Sequence, residues 1–251
     1  MQDNQLQFRK GSNLRRFVSL CCSVLLVTAS ARGDELEPGM RGYGLTVMEG
    51  TRIDTFGVEV LGFQRNGALP GRDRVLVRLS GLGLEETGLI GGMSGSPVYV
   101  GGQLVGAVAS GWSFANEPIG LLTPIDEMLE LLQRDLSGTA SQDTSTLAAP
   151  GPGWRRLNSP LWVAGAGPTT LRLLTELLAP MGFEPVAGTA GGDAGIATAV
   201  PLLPGSAIGV RLIGGDLTIA SIGTVTHVDG DRLVAFGHDM VGSGAIDMPL
   251  T

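Results

Sequence analysis

After Lys10 the sequence contains no lysine, and after Cys22 no cysteine. Without a thiol, the rest of the chain can form no disulfide, no thiolate nucleophile and no cysteine metal site. Histidine is nearly as scarce: His227 and His238 are the only two, too few for a structural zinc site. Cations are outnumbered, 17 Lys+Arg against 24 Asp+Glu, and no basic cluster occurs, which excludes a nucleic-acid-binding reading. No phosphate loop is present either, because "GGDAG" and "IGGDL" are glycine turns with no lysine to follow. Aromatic residues make up only 5% of the chain while glycine reaches 40 residues, a mix suited to short strands and tight turns. A hydrophobic share of 43% still allows a sizeable core.

Long apolar runs are missing too. The run "FVSLCCSVLLVTA" is shorter than the ~20 residues a membrane-spanning helix needs. It follows the basic stretch "RKGSNLRR" and ends in "ASA", so residues 1–31 read as a secretory signal peptide cleaved after Ala31. The expectation is an exported protein, periplasmic or extracellular, with no membrane span after cleavage. Cys21 and Cys22 lie inside this segment without the small residues a lipoprotein signal requires. Cleavage removes four of the 17 basic residues and one of the 24 acidic ones, leaving 13 against 23 and a net charge of −10.

The remaining chain reads as strands with two helices. "YGLTVMEGTRIDTFGVEVLGF" (43–63) predicts two extended pieces joined at Glu49–Gly50, and "DRVLVRLSG" (73–81) a third. "SPVYVGGQLVGAVASG" (96–111) predicts a hairpin turned at Gly101–Gly102. "PIDEMLELLQRDL" (124–136) predicts a helix, with a proline at its start, acids in its first turns, and Ile125, Met128, Leu129 and Leu132 on one face. "TTLRLLTELLAPMG" (169–182) predicts the second, and residues 186–209 read as Gly/Ala-rich loops. Residues 137–160 read as a linker between a first β subdomain, 32–136, and a second, 161–251. "VYVGGQLVGAVASG" and "THVDGDRLVAFGHD" share one plan, strand, glycine turn, strand, one in each half. The sequence stops in a strand-like stretch soon after His238, which reads as a C-terminal truncation.

The chemistry concentrates in "GGMSGSP" (91–97). A serine nucleophile needs its Oγ on a sharp turn, with backbone N–H groups aimed at the developing oxyanion. The six residues alone also read as a Gly/Ser turn leading into a hairpin. They do not fit the α/β-hydrolase elbow, because Ser96 stands where that turn wants glycine. Glu85–Glu86 and Asp126–Glu127 read as solvated charges rather than an acid/base pair.

Gly92-Met93-Ser94-Gly95-Ser96-Pro97 fits the Gly-x-Ser-Gly-x-Pro pattern of chymotrypsin-like enzymes. The longer stretch "TGLIGGMSGSPVYVGGQLVGAVA" (87–109), followed by "PIGLLTPIDEML" (118–129), resembles the SpoIVB-type (stage IV sporulation protein B) serine peptidases. The upstream strands extend the resemblance over roughly residues 38–130. It implies a mainly β fold with chymotrypsin-like double β-barrel character, no cofactor or metal, and a protein or peptide substrate. It assigns Ser94 as nucleophile and the N–H groups of Gly92 and Ser94 as the oxyanion hole. "GTVTHVDGDRLVAFGHDM" (223–240) resembles that family's histidine segment and makes His238 the general base, leaving His227 as a solvent-facing strand residue.

Two features depart from the family. Its histidine segment precedes its serine segment, whereas Ser94 comes first here; geometry, not chain order, defines such a site. Ser80 stands at about the place of the family's acid, and Asp229, Asp231, Asp239 and Asp247 all lie near His238 in sequence with nothing to choose among them. The alternative expectation is a catalytically silent envelope domain that binds protein partners through the same cleft or a strand edge.

Overall fold

Alternation decides the first half of the molecule. Val75, Val77 and Leu79 are buried while their neighbours are not, and Phe56, Val58 and Val60 repeat the pattern one strand away. Such period-two burial places one face of each strand inward. The computed structural model describes residues 36–69, 72–112, 117–133, 153–188, 201–240 and 248–250. All fall in one compact unit, Ala31–Thr251. The expected signal peptide and residues 134–152 of the linker region lie outside the described residues.

Six strands form the first half: β1 (Arg41–Glu49), β2 (Arg52–Leu69), β3 (Arg72–Ser80), β4 (Pro97–Val100), β5 (Gln103–Trp112) and β6 (Ile119–Pro124). They run antiparallel in the order β4-β1-β2-β3-β6-β5, and β4 pairs with β5 to close a barrel. The turns fall where expected, at Gly50 between β1 and β2 and at Gly101–Gly102 between β4 and β5. A one-turn helix, α1 (Leu84–Thr87), precedes the serine motif; no periodicity announces so short a segment. Helix α2 (Ile125–Gln133) follows β6 directly and buries Ile125 and Met128 against Ala107 and Val234. Arg74 on β3 holds it with a two-pronged contact to Glu127, at 2.7 and 3.1 Å.

The second half is a separate sheet. Its strands are β8 (Ser159–Ala164), β9 (Phe183–Ala187), β10 (Ala207–Ile213), β11 (Thr218–Asp229) and β12 (Arg232–Ala235). Their order is β10-β11-β8-β9, with β12 also on β11. Helix α3 (Pro168–Leu178) carries the chain from β8 to its parallel neighbour β9. The mainly β, double-barrel character expected from the sequence is therefore present, as a closed barrel plus this second sheet.

The end of the expected linker is not a linker. Trp154–Arg156 forms β7, which pairs with Ser110–Trp112 of β5, and residues 159–160 already belong to β8. Apolar burial is the reason. Trp154 packs edge-on against Trp112 with ring centroids 4.6 Å apart, and Leu157 joins the barrel core.

Candidate active site

The serine turn is stitched to both sheets. Within it, Met93 N–H donates to the Ile90 carbonyl and Ser96 N–H to that of Met93. From the barrel, Gly95 N–H donates to Val108 O at 2.8 Å, and Val108 N–H donates to Ser96 O at 3.0 Å. From the second sheet, Thr224 N–H donates to Ser94 O at 2.8 Å. The hydroxyl of Thr224 donates to Gly92 O at 2.8 Å and that of Thr226 to Gly95 O at 2.6 Å. Thr224 and Thr226 stand two residues apart on β11, so strand geometry turns both side chains to the same turn. Each such bond to a buried carbonyl contributes about 1 kcal/mol net.

Gly95 sits at φ +91°, a left-handed conformation that glycine adopts without strain. A Cβ there would lie 2.2 Å from Thr224 O and 2.3 Å from Phe236 N. The backbones of the serine turn, β11 and the histidine segment therefore meet at an atom that only glycine leaves out.

The histidine arrives from the end of β12. Phe236, itself left-handed at φ +67°, donates its N–H to Thr224 O at 3.2 Å. Thr123 on β6 donates its hydroxyl to Gly237 O at 2.6 Å. These anchors put His238 Nε2 2.9 Å from Ser94 Oγ, across 144 residues of sequence. His238 Nδ1 lies 2.8 Å from the backbone carbonyl oxygen of Asp239. A carbonyl can only accept, so Nδ1 carries the proton and Nε2 presents its lone pair to the serine hydroxyl. Burial pushes the His238 pKa below the ordinary histidine value; the Asp239 carbonyl bond pulls it up and the Arg156 charge pushes it down. The ring is accordingly held neutral, the form a general base requires.

Among the described residues, neither the Gly92 N–H nor the Ser94 N–H has an acceptor. Ser94 itself has 0% exposure.

The structure brings Ser94, Gly92 and His238 together and separates the rest. His227 lies half-buried on β11, and the histidine that bonds Ser94 is His238. Asp229 and Asp231 are exposed at the β11–β12 turn, Ser80 is exposed at the end of β3, and Asp247 lies outside the described residues. The carboxylate of Asp239 turns to Arg156, 3.1 Å away, and only its backbone meets the histidine. No group of three or more His, Cys, Asp or Glu gathers as a metal site among the described residues. Nor is any helix among them long and apolar enough to cross a membrane. Sequence reasoning missed Thr123, Thr224, Thr226 and Arg156. The alternation in "GTVT" was the one available signal, since two threonines on a buried strand face need acceptors.

No protein-family model, curated protein or solved structure matches the chain. The site's chemistry therefore rests on its own geometry.

Proposed function

We propose that the chain is an exported serine endopeptidase of the SpoIVB type. The carrying observation is the 2.9 Å contact between Ser94 Oγ and a His238 Nε2 whose tautomer is set for accepting a proton. Ser94 Oγ attacks the peptide carbonyl carbon as His238 Nε2 takes the hydroxyl proton. The Gly92 and Ser94 N–H groups hold the resulting oxyanion. His238 then delivers the proton to the leaving amine, and water, deprotonated by the same imidazole, releases the acyl group from the serine. The Asp239 carbonyl acts as the orienting third group, without the charge a carboxylate would add.

Labelling of the purified chain with a fluorophosphonate serine probe tests this reading. The expected result is one modified serine, lost in both Ser94→Ala and His238→Ala. Two observations favour a second reading, a catalytically silent domain that binds protein partners: the complete burial of Ser94, and a backbone carbonyl at Nδ1 where no carboxylate stands among the described residues. A well-folded chain that takes up no probe would replace the first reading by the second.

A further inference from the structure

One edge of β5 carries three partners in succession. Gln103–Ala107 pairs with β4, and Val108 bonds to Gly95 and Ser96 of the serine turn. Beyond it, Ala109 O accepts from Leu157 N–H at 3.3 Å, and Ser110–Trp112 pairs antiparallel with Arg156–Trp154. The opposite edge of this stretch belongs to β6, so β7 uses the only edge left. The chain thus lays an extended segment of itself along the same edge that holds the serine turn, as an incoming peptide adds a strand to an open edge.

The segment is seated there by side chains as well. Leu157 is buried in the barrel core, with Leu89 and Ile90 packed against that core. The missing side chain of Gly111 makes the room, since a Cβ there would stand 3.3 Å from Leu157 Cδ2. Next, the chain crosses the serine turn: a Cβ on Gly91 would meet Asn158 O at 2.8 Å and Pro160 Cγ at 3.0 Å. Arg156 ties the same segment to Asp239, the residue after His238. These contacts describe an occupied strand edge that runs on past the serine turn.

We infer that Trp154–Asn158 occupies the peptide-binding edge in cis, so that the chain is its own competitor and the segment displays the class of peptide the groove takes. That class is an extended peptide with an apolar side chain in the place of Leu157, preceded by arginines and an aromatic residue. The substrate part of this inference rests on the peptidase reading; the binding part does not. Cationic ligands also suit a chain of net charge −7. A tethered occupant acts at an effective concentration on the order of millimolar, which a free peptide of ordinary affinity cannot match until the tether weakens.

The test is a titration of a fluorescein-labelled peptide, acetyl-Trp-Arg-Arg-Leu-Asn-amide, in the Ser94→Ala background, where nothing can be turned over. Leu157→Ser should bind it at least tenfold more tightly than the parent, and should not bind a control peptide with aspartate in place of leucine. Trp154→Ala, which removes only the ring packing against Trp112, serves if Leu157→Ser fails to fold, with the same expectation. Equal binding by the parent and a folded variant overturns the inference. Probe labelling of the Leu157→Ser and Trp154→Ala chains with Ser94 intact separates the two ideas. Labelling without a gain in peptide binding leaves the peptidase reading standing and this one refuted. A gain in binding without labelling does the reverse.

Discussion

Substituting Gly95 by alanine should destabilise the protein more than the same change at any open turn, and Gly101 supplies the comparison. Both glycines are left-handed, at φ +91° and +60°. An alanine at either position therefore carries the same backbone penalty, about 1–2 kcal/mol. At Gly101 the added methyl meets nothing within 4 Å, whereas at Gly95 it meets Thr224 O at 2.2 Å and Phe236 N at 2.3 Å. Neither is the end of a flexible side chain; both are backbone atoms of the sheet that clamps the serine turn. Relieving the overlap means moving β11 or the histidine segment, at an overpacking cost of about 1–3 kcal/mol. The Thr226–Gly95 bond would stretch with it. The extra cost of Gly95→Ala over Gly101→Ala is then about 2 kcal/mol, or roughly 4–8 °C in Tm for a chain of this size. Urea and thermal unfolding followed by circular dichroism measure it. If the two variants melt together, the serine turn is not wedged between the sheets and the argument for its rigidity fails.

Acid should weaken the protein through His238. Its folded pKa is lowered, so the unfolded chain binds a proton more readily than the folded one. This contribution is fully present above the ordinary histidine pKa of ~6.5 and is lost as pH falls below it toward the folded value. Stability measured from pH 8 down to pH 5 should decline in the wild type and less in His238→Gln, and equal declines would show that the ring is not buried as a neutral base. The same shift should place the midpoint of the acid loss of probe labelling below the ordinary histidine value of ~6.5, and a midpoint at or above it would refute the shift. Thr123→Val should cost about 1–3 kcal/mol, because it strands the buried Gly237 carbonyl that now accepts from the Thr123 hydroxyl. Labelling of Ser94 should slow as well, since the residue after Gly237 is His238; unchanged stability together with unchanged labelling would remove Thr123 from the set of positioning residues.

Local pattern was enough for much of the barrel. Alternating Val75, Val77 and Leu79 write a half-buried strand, Gly101–Gly102 a two-residue hairpin, and Pro124 with Asp126 and Glu127 a helix start, because each signal depends only on near neighbours. The serine turn was legible for the same reason, as glycines flanking Ser94 in front of a strand. The sequence also narrowed the candidate base to two histidines. Which of them reaches the serine, and what stands behind it, depended on contacts between residues far apart in the chain. Four aspartates near His238 were equivalent in the sequence. Only the tertiary structure turned the carboxylate of Asp239 toward Arg156 and gave the imidazole a backbone carbonyl instead. It likewise drew residues 154–157 out of a polar, glycine-rich stretch and onto the edge of β5, because that edge was unpaired and Trp112 and the barrel core offered apolar surface to Trp154 and Leu157. Composition can mark such a segment as a connection; whether it stays in solvent or fills a groove is decided by the unpaired edge and the apolar surface it meets.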